Sequence, residues 1–381
     1  MIPVARPWMD DREADAARRA ILSGWVTQGP EVAAFEQEFA AAVGAGHACA
    51  VSSCTTALHV ALTALGVGSG DEVITVSHSF VATANAVRYC GATPVFVDVE
   101  LGTFNIDSRL IEGAISSRTK AILCVHQLGM PCDLAAIVPL AASRRLALVE
   151  DAACAAGSEI LWNETWERIG RPHGDVACFS FHPRKLLSTG DGGMLTTASG
   201  DLDRRFRLLR QHGMTVSDAV RHSSTTVVIE SYAVLGYNYR LTDIQAAIGR
   251  EQLKRLPAMV ARRRELADRY QQHLSGLKAV TMPREPAWAR TNWQSYAVRL
   301  QPALNRDRVM QRMLDEGIAT RRGVINAHSE PAYPPEAWRA GPGGLANSEQ
   351  ASATALVLPL YHEMTIRDQD RVIAALTRAC T

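Results

Sequence analysis

Three places in this chain bring chemistry-bearing residues together where an apolar run ends. Val176-Ala177-Cys178-Phe179 leads into Ser180-Phe181-His182-Pro183-Arg184-Lys185, so a lysine stands close behind a strand-like segment, with a hydroxyl and an imidazole beside it. Leu146-Ala147-Leu148-Val149 ends in two acids, Glu150-Asp151. Successive side chains of a strand point to opposite faces, so only one of these acids can enter a given site. A buried carboxylate stays ionised only beside a cation or hydrogen-bond donors. The third place is Ser52-Ser53-Cys54-Thr55-Thr56, small and mostly hydroxyl-bearing residues between Ala48-Cys49-Ala50-Val51 and a helical pattern. Free N–H groups at a helix start favour an anion, phosphate above all. A cap by Ser53 or Thr55 accounts for the same residues without a ligand. Each feature also has a plain structural reading: Lys185 as a surface residue, a strand-end acid as the cap of the next loop.

The elements that must position these residues can be read from periodicity. Asp10 or Asp11 as cap and Gly24 as stop bound a helix over 10–23, and a second helix runs from Pro30 to Val43. From His47 onward short apolar runs alternate with helical segments: Ala48–Val51 then Thr56–Leu65, Glu72–Val76 then Val81–Tyr89, Pro94–Val97 then Arg109–Ile115. The beat continues through Ala121–Val125, Leu134–Ser143 and Leu146–Val149. Strands apolar on both parities, alternating with helices, predict an α/β fold with a mostly parallel sheet covered on both faces. Beyond Tyr239 the pattern changes. A long helical stretch from Thr242 to Leu274 contains Pro257, which predicts a kink or break there. Ser295–Leu300 reads as a strand, Asp307–Glu316 as a helix, Glu330–Gly344 as a Pro/Gly-rich loop and Arg367–Arg378 as a closing helix. This divides the chain into a large α/β domain over 1–256 and a smaller C-terminal α+β domain over 257–381, with roughly the first 25 residues near the junction.

Composition excludes several classes. The chain has 381 residues, 47% of them hydrophobic and 21% charged, with a net charge of +1, so no overall field recruits polyanions. Arg262-Arg263-Arg264, flanked by Glu265 and Asp268, reads as a solvated helix face, and no nucleic-acid partner is expected. No stretch has signal-peptide character or membrane-spanning length, which predicts a cytoplasmic protein without a membrane partner. Eight scattered cysteines, with no CxxC pair or Cys/His cluster, predict reduced core thiols and no metal site. On that reading the sequon Asn163-Glu164-Thr165 is a chance match. Gly66–Asp71 closes a helix and opens a strand, and Gly190–Gly193 lies between two strand-like runs, so neither fits a dinucleotide fingerprint.

What remains is an anion cradle, one strand-end acid and one amine. Together they match the needs of pyridoxal 5'-phosphate (PLP): a phosphate site, a carboxylate that keeps the pyridine nitrogen protonated, and an amine for a Schiff base. The strings Val51-Ser-Ser-Cys-Thr-Thr-Ala-Leu-His59, Gly70-Asp-Glu-Val-Ile-Thr75, Ser79-Phe-Val-Ala-Thr-Ala-Asn85, Val149-Glu-Asp-Ala-Ala153, Cys178-Phe-Ser-Phe-His-Pro-Arg-Lys185, Gly190-Asp-Gly-Gly-Met194 and Gly236-Tyr-Asn-Tyr-Arg240 occur in that order. They closely resemble the DegT/DnrJ/StrS family of sugar aminotransferases, of PLP fold type I, along nearly the whole chain.

The resemblance implies that Lys185 is the Schiff-base lysine and Asp151 the partner of the pyridine nitrogen, which chooses between the two strand-end acids. It assigns Ser180, Thr55, Thr56 and the backbone at Cys54 to the phosphate, and Phe80 to stacking on the ring. Asn238 corresponds to a residue that reaches the phosphate from the other subunit, which implies a homodimer with shared active sites. His182, Arg240, His328, Glu330 and Tyr333 are carried as substrate-site candidates; His126 and His182 read equally well as structural histidines. The implied reaction moves an amino group from L-glutamate to a keto sugar, expected to be a nucleotide-linked 4-keto-6-deoxyhexose, for a surface polysaccharide or a glycosylated natural product. Competing readings are amination of a keto cyclitol or other cyclic ketone, and a non-catalytic PLP-binding regulator, which predicts a degraded lysine, acid or phosphate cluster. Lys185 argues against the dehydratases among the relatives, which carry His in its place. Two departures stand out. Cys154 occupies a position where several members have Gln or His, and Ser158–Gly174, with Trp162, Trp166 and Arg171, looks bulkier than the family pattern. That segment is read as an aromatic-anchored surface loop or as part of the acceptor pocket or dimer surface.

Overall fold

The computed structural model describes residues 1–216, 221 and 224–381. Two N-terminal helices, α1 (Asp11–Leu22) and α2 (Pro30–Val43), precede strand β1 (His47–Val51). Helix α3 (Cys54–Ala64), β2 (Glu72–Val76), α4 (Ala82–Tyr89), β3 (Thr93–Val97), α5 (Ser108–Ala114), β4 (Thr119–Val125), α6 (Leu134–Arg144) and β5 (Ala147–Asp151) follow in strict alternation. A ribbon of β6 (Glu159–Trp162) and β7 (Thr165–Arg168) comes next, then β8 (Val176–Ser180), β9 (Gly193–Thr197) and α7 (Gly200–Arg210). The main sheet runs β1-β9-β8-β5-β4-β2-β3, with β9 antiparallel to both neighbours and the other pairings parallel. Alternation feeds two cores. Ile74, Val97, Ile122 and Phe179 pack on one face, while Val73, Leu123, Val149 and Cys178 pack on the other. A strand covered on both faces must be apolar on both parities, which is why these runs are continuous.

The C-terminal part holds α8 (Asp243–Leu274), β10 (Val280–Thr281), β11 (Ala289–Arg290), β12 (Tyr296–Leu300), α9 (Arg306–Asp315), β13 (Arg321–Arg322), β14 (Arg339–Ala340), α10 (Ala346–Thr354), β15 (Ala355–Leu358) and α11 (Ile366–Ala379). A four-stranded antiparallel sheet, β10-β12-β15-β13, covers its own core. Three expectations are corrected here. Helix α8 runs unbroken through Pro257. Its first half is anchored by Leu256 and Met259 in the core of the large sheet and its second half by Leu266, Tyr270 and Leu274 in the other core. Apolar burial on both sides outweighs the single N–H that proline removes. The Arg262–Arg264 triplet is not a solvated face. Arg263 is buried, donating to the carbonyls of Trp293 and Gln294 at 3.0 Å each, and Arg264 donates to Thr291 O at 3.1 Å. Finally, the Pro/Gly-rich stretch 330–344 is not loop throughout, since β14 adds to the edge of the large sheet, parallel to β3.

The N-terminal residues tie to both parts. Ile2 N–H donates to Gly317 O at 2.8 Å, while Trp8 O and Glu13 accept from Gln252 of α8. Among the described residues no helix is long and apolar enough to cross a membrane.

Candidate active site

In sheets of this kind ligands bind beyond the carboxyl ends of the strands. A cavity of about 450 Å³ lies there, walled by residues that follow β1, β2, β4, β5 and β8 and closed over by Gln294, Arg321 and Gly323 from the C-terminal part. Cys54, Thr55, Phe80, Asp151, Ser180 and Lys185, remote in sequence, all line it, as does His182.

Strand geometry separates the two acids at the end of β5. Glu150 is fully buried away from the cavity, accepting from His126 Nε2 at 3.0 Å and from Gly174 N–H at 3.1 Å. His126 Nδ1 accepts from Cys132 N–H at 2.9 Å, so the ring's proton sits on Nε2. Asp151 faces the cavity and is 4% exposed. Its Oδ2 accepts from Thr83 Oγ1 at 2.7 Å and its Oδ1 from Ala153 N–H at 3.1 Å, while Ser79 Oγ lies 2.7 Å from the Thr83 hydroxyl. Burial raises the Asp151 pKa against the pull of these donors and of Lys185. Thr83 and Ser79 were not singled out as site residues. The signal was there, since Ser79–Thr83 follows an apolar strand as the three chosen segments do.

Lys185 closes a turn, its N–H donating to His182 O at 2.8 Å, and its Nζ donates to Cys154 Sγ at 3.1 Å. Burial opposes the ammonium form, but the Cys154 sulfur, Cys54 and Asp151 outweigh it and raise the lysine's pKa. Phe80, 69% exposed, presents a ring at the cavity wall.

The hydroxyl cluster after β1 divides its work. Ser53 Oγ accepts from Thr56 N–H at 3.2 Å and Thr56 Oγ1 accepts from Ser53 N–H at 3.1 Å, a reciprocal cap of α3. Thr56 is thereby spent on the helix and does not line the cavity. The N–H groups of Cys54 and Thr55, first in the helix, have no intrahelical acceptor and belong to the cavity's wall. Gly193 lets them sit there. A Cβ at this position would lie 2.4 Å from Ser53 O and 2.7 Å from Cys54 N, both backbone. Gly193→Ala should therefore push the helix start out of place at a cost of about 1–3 kcal/mol, weakening PLP binding roughly tenfold or more. Fluorescence titration of the cofactor-free variant checks this, and unchanged affinity would show that the close approach is not needed.

The structure does not bring every candidate together. Asn238 is exposed and bridged to Gln211, and Arg240 is half-buried and bridged to Val51; neither lines the cavity of its own chain. His328 pairs with Ser77 Oγ at 2.6 Å, Glu330 lies 3.9 Å from Arg322, and Tyr333 is buried with its OH donating to Asn85 at 2.6 Å; all three stand outside the wall. His182 lines the cavity half-buried, and burial together with Arg184 lowers its pKa. Ser158–Gly174 folds as the β6–β7 ribbon, extended by β11, with the Arg290 guanidinium 3.7 Å over the Trp166 ring. None of its residues touches the cavity.

These residues fit PLP on two observations. The helix start offers N–H donors without an intrahelical acceptor beside the Thr55 and Ser180 hydroxyls on the cavity wall. An acid and an amine, each held by side-chain partners, line the same cavity. Comparison with known proteins agrees. The chain is 38% identical over 379 residues to the spore coat polysaccharide biosynthesis protein SpsC of Bacillus subtilis (strain 168), covering 98% of this chain and 96% of that one. The crystal structure of the aminotransferase TlmJ from Streptoalloteichus hindustanus superposes with a TM-score of 0.90 at 36% identity, covering 100% of this chain and 98% of the other. The PLP form of Spr1654 from Streptococcus pneumoniae gives 0.90 at 25% identity, with 100% and 98% covered. Residues 7–377 match the model of the DegT/DnrJ/EryC1/StrS aminotransferase family. With the lysine, the acid and the cradle on one cavity and the match spanning nearly the whole chain, the protein belongs to this family of PLP-dependent aminotransferases.

Proposed function

We propose that the chain moves an amino group from L-glutamate to a keto sugar, with a nucleotide-linked 4-keto-6-deoxyhexose as the acceptor. The observation that carries this reading is the convergence of Lys185, Asp151 and the start of α3 on one cavity, whose volume of about 450 Å³ suits a small organic ligand. Lys185 Nζ is the covalent anchor for PLP, Asp151 the partner of its ring nitrogen, and Thr55, Ser180 and the Cys54 N–H the phosphate contacts. When bound, PLP supplies an electron sink conjugated to the carbon that loses its proton. Asp151, held by Thr83 and Ala153, keeps a proton on the ring nitrogen by remaining ionised beside it. Lys185 Nζ, once free of its covalent bond, carries the proton taken from the amino donor's Cα.

A homodimer completes the site in this reading. Asn238 lies outside its own cavity, and the same stretch carries Val227, Ile229 and Leu235 at 92%, 86% and 86% exposure. Apolar side chains so exposed fit a surface covered by a second copy, which brings Asn238 to the partner's phosphate site. The eight free cysteines fit a reducing compartment, the cytoplasm. The name of SpsC suits an amino sugar made for a polysaccharide.

Glutamate-dependent amination of a panel of keto sugar nucleotides and keto cyclitols tests the acceptor. Turnover of a keto sugar nucleotide at least about tenfold more efficient than of any cyclitol is expected. Amination of cyclitols alone would replace the sugar by a carbocyclic ketone, with the same catalytic residues.

A further inference from the structure

Five side chains of Asp, Lys or Arg line the cavity, and they divide unequally. Asp151 is held by Thr83 and Ala153, Lys185 by the Cys154 sulfur, and Asp191 Oδ1 accepts from the N–H of Gly192 at 3.1 Å. Arg184 and Arg321 remain. Both are exposed at the cavity's edge, and among the described residues neither guanidinium makes an ion pair or a hydrogen bond. Their main chains are fixed all the same. Arg184 N–H donates to His182 Nδ1 at 3.2 Å and its carbonyl accepts from Gln294 Nε2 at 2.9 Å, while Arg321 pairs with Val357 across the antiparallel sheet. Alternation along β13 sets the contrast with the next residue: Arg322 stands outside the cavity wall, 3.9 Å from Glu330. The two cavity charges act on one another. Partial burial and then the Arg184 guanidinium lower the Arg321 pKa, and burial and then Arg184, Lys185 and Arg321 lower that of His182 against Asp191. Like charges held near one another repel, and an anion placed between them relieves the repulsion.

We propose that Arg184 and Arg321 form an anion subsite, separate from the start of α3, that takes the diphosphate of a nucleotide-linked acceptor. A guanidinium offers two parallel N–H groups to one phosphate, so two guanidiniums match two linked phosphates that carry one negative charge each. Position favours the diphosphate over a carboxylate of the amino donor. In a hexose with its ketone at C4, the diphosphate at C1 lies across the ring from the reacting carbon, and so toward the exposed edge of the cavity when that carbon is at Lys185. The donor's α-carboxylate is bonded to its own reacting carbon and stays beside the buried Asp151, away from two exposed arginines. The identity of the anion rests on the proposed function; the subsite itself rests on the two arginines alone.

The test is isothermal titration of the PLP-loaded full-length protein with inorganic pyrophosphate, since bound PLP already fills the phosphate site at α3. Arg184→Gln and Arg321→Gln are each expected to weaken pyrophosphate binding at least about tenfold. Arg322→Gln, the same loss of charge one residue along the strand, should alter it less than about twofold. All three side chains are exposed, and circular dichroism with PLP loading shows that the variants fold. Bleaching of the yellow colour by glutamate reads the donor separately: its half-saturating concentration should shift at least about fivefold less than the pyrophosphate affinity does. Undetectable pyrophosphate binding by wild type, equal weakening by Arg322→Gln, or unchanged affinity in either cavity variant would overturn the proposal. A glutamate shift as large as the pyrophosphate shift would overturn it as well, giving the two arginines to a donor carboxylate. If glutamate fails to bleach the wild-type protein while pyrophosphate binds as expected, the proposed function falls and the anion subsite stands.

Discussion

Lys185→Ala is expected to leave a folded protein that no longer develops the yellow colour of covalently bound PLP and whose amino transfer falls about a thousandfold or more. The cavity wall supplies no second amine: among the residues lining it, Lys185 is the one lysine. Among the described residues its Nζ has a single hydrogen-bond partner, the Cys154 sulfur, so truncation orphans no buried carboxylate and the fold should persist. Absorbance, circular dichroism and turnover separate the outcomes; normal colour in the variant, without added amine, would sink the assignment. The same variant tests the proposed sharing of a site between two subunits. Mixed with Asn238→Ala subunits it should regain activity, because each mixed dimer contains about one site with an intact Lys185 and an Asn238 from the opposite chain. If mixing restores nothing while the dimers exchange, Asn238 does not serve its neighbour.

Asp151→Asn should lower kcat about 10²–10³-fold with little change in the apparent affinity for glutamate, since the lost charge acts on the ring nitrogen and not on the donor. The cofactor-free variant should nevertheless be at least as stable as wild type at neutral pH. Burial raises the Asp151 pKa, so its contribution to stability is present while the carboxyl is protonated and is lost as pH rises through the raised value. Above that point the folded chain holds an ionised carboxylate at 4% exposure with only hydroxyl and amide donors on it. An asparagine occupies the same place without that charge, and the Thr83 hydroxyl can rotate to suit it. Thermal melts of both cofactor-free proteins from about pH 4, near the ordinary carboxyl value, upward check the sign: the gap in favour of the variant should open as pH rises through the raised Asp151 value and then level off. A variant clearly less stable across that range would show that the carboxylate serves the fold more than the site.

Much of this site was legible before any coordinates. The strand-end acids and the lysine behind β8 stand out because each follows an apolar strand-like run, and chain direction sends the ends of parallel strands to one edge of the sheet; the family resemblance then picks Asp151 over Glu150 and gives Lys185 its role. Thr83 is not singled out by the sequence because a hydroxyl on the first turn of a helix reads equally as a cap, and nothing local to β2 says that Asp151 at the end of β5 faces it. The same ambiguity ran the other way at Thr56, whose hydroxyl is consumed by its own cap. Pro257 and the Arg262–Arg264 triplet were misread for a shared reason. Both lie on α8, and what keeps a helix continuous through a proline or draws an arginine inward is the long-range partner, here two separate cores and the carbonyls of Trp293 and Gln294.

The order of apolar runs and breakers determined the alternation of strands and helices, and with it the α/β class and the edge of the sheet where chemistry would collect, because periodicity and capping are local properties. Which hydroxyls serve the cavity and which the helix, and that a cysteine sulfur touches the lysine nitrogen, were decided only by tertiary structure. Those contacts join residues separated by 31 positions for Cys154 and Lys185 and 68 for Thr83 and Asp151, and distances across a fold are set by packing, not by neighbours in the chain.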